Sequence, residues 1–152
     1  RIHYQIDEDV LESPILKLTL QPLVENAVYH GLEPRRGTGN LTISMRSNAS
    51  SVEIVIQDDG VGMDAAQLEA LQHQLALARQ LTLTHQLADS SPDTASSPRG
   101  HIGISNVNRR LILRFGPSSG VQISSRPGEG TCVTIRLAGQ EIASSHSGTR
   151  SV

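Results

Sequence analysis

Two carboxylates followed at once by glycines end one predicted strand, in the segment DDGVG at residues 58–62. Glycine has no side chain, so a Gly-x-Gly turn lets the backbone approach a flat ligand closely. The carboxylate of Asp58, just leaving the sheet, could accept a hydrogen bond from an exocyclic amine, a charge-assisted bond worth about 1.5–3 kcal/mol. Because Asp and Gly are also common turn residues, a simple turn or a calcium-binding loop explains the segment about as well.

Two further segments contain residue types suited to phosphate and metal chemistry. GHIGISN, at residues 100–106, places glycines before a predicted helix, whose free N–H groups and positive dipole end attract anions. In PLVENAVYHG, Asn26 and His30 are four apart and share one helix face, and an asparagine carbonyl is a hard oxygen ligand suited to Mg²⁺. Glu25 lies about 100° further round the helix and is either a catalytic base or a solvated charge. Taken alone, each segment also fits an ordinary helix or loop.

Hydrophobic periodicity predicts the elements that must position these segments. Ile2, Tyr4 and Ile6 alternate with polar residues, which predicts a half-buried strand. Asp64 with Gln67 has the spacing of a capping box at a helix start. Five predicted strands and three predicted helices, mixed in order, indicate an α+β two-layer sandwich. The strands are at residues 1–7, 41–45, 52–57, 121–125 and 131–137, and the helices begin near Pro22, near Asp64 and within GHIGISN at residues 100–106.

The predicted domain covers residues 1–137, with two segments of different character. Residues 73–99 contain the turn-forming, mostly uncharged run SSPDTASSP, which we expect to be mobile. Residues 138–152 lack periodicity, so we expect a disordered tail. The chain begins at Arg1, inside a predicted strand, and we expect it to be a fragment of a longer protein.

Composition excludes several classes of function. Aromatic residues make up only 2% of the chain and the net charge is −2, so neither stacking platforms nor a basic surface for nucleic acid is expected. Cys132 is the single cysteine, which excludes an internal disulfide and a cysteine-based zinc site and favours a reducing compartment. No stretch approaches the ~20 apolar residues of a membrane-spanning helix.

The order ENAVYHG, DDGVG, GHIGISN and GEGT along the chain is more specific than any one segment. It resembles the four boxes of the Bergerat ATP-binding fold, which DNA gyrase, heat-shock chaperones, histidine kinases and mismatch-repair MutL share. The resemblance covers roughly residues 18–137. LQPLVENAVYHG, NVNRRL and RPGEGTCVTIRL are similar in particular to sensor histidine kinases related to LytS and YesM. The family implies a mixed, mostly antiparallel sheet with helices on one face, and ATP and Mg²⁺ as cofactors.

The resemblance implies a role for each matching residue. Asn26 matches the Mg²⁺-coordinating asparagine, and Asp58 matches the aspartate that binds N6 of adenine. The remaining matches line the base pocket (Gly60, Gly62), bracket the triphosphate at the hinge of the ATP lid (Gly100, Gly103) or lie beneath the adenine (Thr131). Residues 73–99 fall where the family has that lid.

Departures from the family pattern shift the expected chemistry. Gyrase-type members carry a catalytic glutamate one turn before the asparagine, where this chain has Pro22, so phosphotransfer fits better than rapid hydrolysis. Many kinases have Lys or Arg three residues after the asparagine, where this chain has Tyr29. His101 stands where many relatives have glycine, and His30 and His101 are interpreted as nucleotide-pocket residues. None of the six histidines lies in a phospho-acceptor motif.

These features predict the catalytic domain of a protein-histidine kinase in a two-component signalling system. The domain would bind Mg-ATP and donate the γ-phosphoryl to a histidine on its own dimerisation domain, absent from this fragment, which alone is therefore inactive in autophosphorylation. A response regulator would then receive the phosphoryl group. The expected parent is a homodimer anchored in the bacterial inner membrane with this domain in the cytoplasm, and no nucleic-acid partner is expected. The alternatives are a nucleotide-gated interaction module without transfer activity and a serine kinase of the anti-sigma-factor type, against which LVENAVYHG argues.

Overall fold

Five strands form a single mixed sheet in the computed structural model, which describes residues 1–10, 20–48, 50–87 and 102–138. The strand order is β1-β2-β3-β5-β4, where β1 pairs parallel to β2 and every other pairing is antiparallel. This confirms the predicted mixed, mostly antiparallel sheet. The strands are β1 Ile2–Ile6, β2 Leu41–Asn48, β3 Ser51–Asp58, β4 Gly120–Arg126 and β5 Gly130–Ala138.

Three helices pack on one face of this sheet. Helix α1, Leu20–Asn26, has Pro22 in its first turn and continues without a break as a π-helical segment, Ala27–Leu32. The helix therefore runs through Gly31 and ends at Leu32, and the π-helical geometry was not predicted. Helix α2 is Ala65–Leu87, helix α3 is Ile102–Phe115, and a short 3₁₀ turn covers Glu8–Val10.

The core lies between the helices and the covered face of the sheet, and it is built from aliphatic side chains. Alternate residues of β3 point into it, so Val52, Ile54 and Ile56 are each at most 1% exposed, whereas Glu53 and Gln57 on the opposite face are exposed. Helix α3 turns an apolar face toward this core. Its buried members are Ile104, Val107, Leu111 and Ile112, with Phe115 partly buried.

Strand β1 differs from the expectation of a half-buried strand. All five of its residues are exposed, because β1 is an edge strand and the helices cover the centre of the sheet. Periodicity detects the alternation of a strand but carries no information on its position in the sheet.

The capping box at the start of α2 is confirmed. The Gln67 N–H donates to Asp64 Oδ1 over 2.8 Å, and the Asp64 N–H donates to Gln67 Oε1 over 3.0 Å. Helix α2 then runs through the first half of the predicted lid as far as Leu87, with Leu75 and Thr82 buried against the rest of the domain.

The remainder of the predicted lid, residues 88–99, and the predicted tail beyond Ala138 lie outside the described residues. In the ranges that are described, no helix has the length and apolar character needed to cross a membrane.

Candidate functional site

A cavity of about 350 Å³ lies between the sheet and all three helices. It collects Asn26, His30, Asp58, Gly62 and Thr131 from segments far apart in sequence. A larger, open groove of about 710 Å³ beside β4 contains none of the predicted site residues. The apolar lining of the smaller cavity comes from Leu23, Ala27, Ile56, Val61, Met63, Leu71, Ile104, Ile123 and Val133.

Asp58 stands at the end of β3 and is only 4% exposed. Its Oδ1 accepts the N–H of Gly60 over 2.9 Å and the N–H of Thr131 over 3.3 Å. Burial raises the pKa of this carboxyl, although the two hydrogen bonds partly oppose that effect. Its other oxygen, Oδ2, has no partner among the described residues, so Asp58 presents to the cavity an acceptor whose orientation is already fixed.

Gly31, which was not among the predicted site residues, packs directly against Asp58. A Cβ added at Gly31 would lie 2.6 Å from Asp58 Oδ1, closer than real Cβ contacts allow. The Gly31 carbonyl accepts the N–H of Val61 over 2.9 Å, and a Cβ added at Gly60 would overlap that carbonyl. The π-helical segment and the loop after β3 therefore meet backbone to backbone behind the carboxylate. Glycine inside a helical pattern was the available signal.

The loop after β3 is fixed on its other side by the β4–β5 hairpin. Gly62 has φ +67°, a conformation that favours glycine, and Val61 accepts the N–H of Gly128 over 2.7 Å. Ser125 Oγ accepts the N–H of Met63 over 2.9 Å, lies 3.0 Å from Thr131 Oγ1, and donates to the carbonyl of Gly130. Ser125, which was not predicted, thus connects the loop to the hairpin. The cavity wall is held by hydrogen bonds rather than by packing alone.

Asn26 is the last residue of α1, immediately before the π-helical segment. Its side-chain nitrogen is buried and has no hydrogen-bond partner among the described residues. A Cβ added at Gly103, on the first turn of α3, would lie 3.8 Å from that nitrogen, so the start of α3 lies directly beside the amide. Single π turns are frequent at functional sites, and a buried amide without a partner is costly unless a ligand satisfies it.

Residues 12–141 match the model of the histidine kinase-, DNA gyrase B- and HSP90-like ATPase family. The chain belongs to this family. The sensor histidine kinase YpdA of Escherichia coli is 34% identical over 113 residues, which are 74% of this chain and 16% of that protein. The sensor histidine kinase YesM of Bacillus subtilis is 32% identical over 132 residues, which are 87% of this chain and 18% of YesM. The chain therefore spans less than a fifth of either relative.

Solved structures share the fold of this ATPase-family domain. The histidine kinase domain of the Erythrobacter litoralis blue-light activated kinase superposes with a TM-score of 0.53 at 14% identity, covering 94% of this chain and 53% of that one. The histidine kinase ThkA, in complex with the response regulator protein TrrA, gives a TM-score of 0.54 at 15% identity, covering 90% of this chain and 33% of that one.

Among the described residues, three predicted site residues do not line the cavity: Glu25, Gly60, which packs behind Asp58, and Gly103, which lies beside Asn26. Glu25 is exposed and accepts a hydrogen bond from Gln21 Nε2 over 2.8 Å on the outer side of α1, so its proposed role as a catalytic base has no support from the geometry. The helix turns Glu25 away once Leu23 and Ala27 are buried. Gly100 and His101 lie outside the described residues.

Asp59 has a structural function that sequence reasoning did not foresee. Its carboxylate accepts the backbone N–H of Asn40 over 2.8 Å and the Asn40 side-chain N–H over 2.7 Å, and it pairs with Arg35 at 2.6 Å. The Asn40 hydrogen bonds, with a smaller contribution from Arg35, lower the pKa of Asp59 to about 2. Of the two adjacent aspartates, Asp58 faces the cavity and Asp59 anchors the loop that precedes β2.

Asn40→Ala is expected to lower the free energy of unfolding by about 1 kcal/mol at pH 7, since it removes one side-chain hydrogen bond to a charged but half-exposed group. A carboxyl whose pKa is lowered by folding stabilises the fold at pH values above its pKa in the unfolded chain, and this stabilisation is lost as the pH falls toward 2. The deficit of the variant should therefore shrink in acid. Urea unfolding at several pH values and NMR titration of Asp59 check this, and a pH-independent deficit would contradict it.

Proposed function

We propose that the chain is the Mg-ATP-binding catalytic domain of a sensor histidine kinase, which donates the γ-phosphoryl group to a histidine on a dimerisation domain of the same parent protein. The observation that carries the proposal is one cavity that holds both a buried carboxylate with a free oxygen, Asp58, and a buried amide without a partner, Asn26. The relatives named above are sensor histidine kinases, which supports the same reaction class.

Asp58 would select the nucleotide base. Its free Oδ2 would accept the exocyclic N–H of adenine, while the hydrogen bonds to Oδ1 prevent the carboxylate from turning away. The aliphatic lining gives the ring a dry slot in a chain with almost no aromatic residues. Thr131, fixed through Ser125, would bound the slot from the sheet side.

The amide of Asn26 fits a magnesium–phosphate complex. The nitrogen and oxygen of such an amide are assigned by their hydrogen bonds, so rotation about the last side-chain bond can bring the oxygen to the cation. The described residues contain no group of three His, Cys, Asp or Glu side chains that could hold a metal. Most ligands of the cation would then be phosphate oxygens and water, as Mg²⁺ prefers. When bound, Mg²⁺ supplies charge neutralisation and orientation of the phosphates.

Transfer rather than hydrolysis follows from what surrounds this amide. Pro22 lies one turn before Asn26 and has no group that could activate water. The domain would therefore act by positioning the phosphates through Asn26, His30 and the start of α3 for in-line attack by a histidine supplied from outside. We propose in addition that the parent is a membrane-anchored homodimer and passes the phosphoryl group to a response regulator, the partner named for the structurally similar ThkA.

The decisive experiment combines the chain with the separately produced dimerisation domain of its parent and radiolabelled Mg-ATP. Acid-labile, base-stable label on the dimerisation domain is expected, and none on this chain alone. Saturable nucleotide binding, measured by calorimetry, without any phosphohistidine would instead favour a nucleotide-gated module.

Asn26→Asp is expected to change the Mg²⁺ dependence of ATP binding, because it replaces a neutral oxygen ligand by a charged one. Asn26→Ala should weaken Mg-ATP binding roughly 10- to 100-fold, the equivalent of one charge-assisted contact. The affinity for ATP without Mg²⁺ should fall far less. Calorimetry with and without Mg²⁺ measures both effects. The exposed Asn106 provides a control, as Asn106→Ala should leave both affinities unchanged. If ATP binding depends on Mg²⁺ identically in all variants, then Asn26 is not the residue that coordinates the cation.

A further inference from the structure

Strand β1 leaves one edge of the sheet open in the described part of the chain. The carbonyl of Arg1 accepts the N–H of Leu41 over 2.9 Å, and the N–H of Asp7 donates to the carbonyl of Met45 over 3.1 Å. Backbone groups alternate in direction along a strand, so His3 and Gln5 between them also bond to β2. The N–H and C=O groups of Ile2, Tyr4 and Ile6 therefore point outward, where they can pair with another strand.

The side chains of the same three residues are exposed although they are apolar or aromatic. Ile2 is 51%, Tyr4 65% and Ile6 37% exposed. They pair in register with buried residues of β2, respectively Leu41, Ile43 and Met45, so they lie on the helix-covered face, beyond the last covering helix. Natural edge strands are usually protected by lysine, proline or a bulge, and β1 has none of these between its ends. The edge formed by Ile2, Tyr4 and Ile6 is therefore suited to pairing with another strand.

The sequence of this edge, RIHYQID, is complementary to itself in the antiparallel direction. When two copies are aligned about Tyr4, Arg1 faces the Asp7 carboxylate of the other copy and Tyr4 faces Tyr4. The intermediate pairs match as well, because Ile2 faces Ile6 and His3 faces Gln5. We propose that β1 is a docking edge for a second copy of this chain, which it pairs in this antiparallel register to continue the sheet across a two-fold axis.

The backbone independently supports this register. In an antiparallel ladder, residues directly opposite each other exchange both hydrogen bonds at every second position. The register about Tyr4 places Ile2 opposite Ile6 and Tyr4 opposite Tyr4, and these are the residues whose backbone groups point outward. A register shifted by one residue would pair outward-facing groups with inward-facing ones. Charge, side-chain type and hydrogen-bond direction therefore select the same alignment.

A second copy is the occupant that the sequence itself supplies, because its Asp7 and Arg1 place an opposite charge against each end of the strand. Pairing would also bring the exposed side chains of Ile2, Tyr4 and Ile6 from each copy together on the helix-covered face of the sheet. The same patch of each copy is used, as a two-fold interface requires. A single strand pair is a small interface, so we expect a weak dimer with Kd on the order of 10⁻⁴ M. None of these residues lines the cavity, and the proposal does not depend on nucleotide binding.

Sedimentation equilibrium of the full 152-residue chain tests the proposal first. Dimerisation should weaken more than tenfold in Tyr4→Lys, which places two ammonium groups across the axis. Tyr29→Lys, at the other exposed tyrosine, should have no effect. Arg1→Asp and Asp7→Arg should each weaken the dimer, and the double variant should restore it. A chain that stays monomeric at about 1 mM, or dimerises equally in Tyr4→Lys, would overturn the proposal.

Cysteine cross-linking tests the register in a Cys132→Ser background. Tyr4→Cys should form a disulfide-linked dimer on mild oxidation, because opposite Cα atoms in a hydrogen-bonded pair are about 5.5 Å apart. A chain with His3→Cys alone, or with Gln5→Cys alone, should cross-link poorly, because its cysteine and the same cysteine of the second copy are diagonal neighbours about 7–8 Å apart. When the two variant chains are mixed, the cysteine at position 3 of one directly faces the cysteine at position 5 of the other, and the two should cross-link. Cross-linking by His3→Cys alone as fast as in the mixture would contradict this register.

Unchanged Mg-ATP affinity in Tyr4→Lys is expected and separates this inference from the proposed function. A dimer lost in Tyr4→Lys together with intact nucleotide binding supports the docking edge. Failure of the native chain to bind nucleotide would bear only on the proposed function.

Discussion

Asp58→Asn is expected to weaken Mg-ATP binding roughly 10- to 100-fold, the equivalent of one charge-assisted hydrogen bond. The asparagine oxygen can still accept the N–H groups of Gly60 and Thr131, which fixes its orientation. Its NH₂ group then replaces the free Oδ2 and meets the amine of adenine donor against donor. Calorimetric titration with Mg-ATP measures the loss.

The same substitution should leave the fold at least as stable at pH 7. Burial raises the pKa of Asp58, so folding disfavours its ionised form relative to the unfolded chain. A group whose pKa is raised by folding contributes its full stabilisation at pH values below its pKa in the unfolded chain. This stabilisation is lost as the pH rises through its pKa in the folded chain. Asparagine carries no charge at any pH. The stability of the variant relative to wild type should therefore increase from acid to neutral pH, as urea unfolding at several pH values can measure.

Nucleotide affinity supplies a separate test of Asp58. Wild-type affinity should fall when pH is lowered from about 8 toward the raised pKa of Asp58, since a protonated carboxyl accepts the amine less well. Asp58→Asn should bind weakly with little such dependence. Asp59 titrates near pH 2 and does not contribute over this range. Unchanged affinity in a folded Asp58→Asn chain would remove Asp58 from the binding site and with it the proposed orientation of the base.

Local sequence signals predicted the elements because those signals are themselves local. Alternation in VEIVIQ corresponds to the burial pattern of β3, and the Asp64–Gln67 spacing is enough to start α2. Asn26 and His30 were placed on one face by helical spacing alone, and both line the cavity. What these signals share is that each depends on neighbours within a few residues.

Features set by contacts between distant segments could not be predicted in the same way. The exposure of β1 depends on which strand becomes the edge of the sheet. The need for glycine at position 31 depends on the carboxylate of Asp58, 27 positions further along the chain, and the need for glycine at position 60 depends on the Gly31 carbonyl. DDGVG indicated Asp58 as the binding residue, but the anchoring role of Asp59 could not be predicted, because it depends on Asn40 and Arg35 in the loop before β2.

Gly62→Ala is expected to destabilise the fold by about 2–5 kcal/mol and to abolish measurable nucleotide binding. An L-residue at φ +67° costs about 1–2 kcal/mol, and overlap of the new methyl group with the Arg126 carbonyl adds about 1–3 kcal/mol more. Relief of that overlap would push the loop after β3 away from the β4–β5 hairpin. The loop would then lose the Met63–Ser125 hydrogen bond that holds the cavity wall.

Gly128→Ala is the matched control, because it separates backbone strain from the overlap. Gly128 has φ +77°, and a Cβ added there meets nothing within 4 Å, so this variant should lose only about 1–2 kcal/mol and should still bind nucleotide. Urea unfolding of both variants gives the difference, and calorimetry with Mg-ATP gives the binding. Equal destabilisation would mean that the hairpin accommodates the methyl group. In that case Gly62 is required only for its backbone conformation, and the close approach of the two loops does not limit the shape of the cavity.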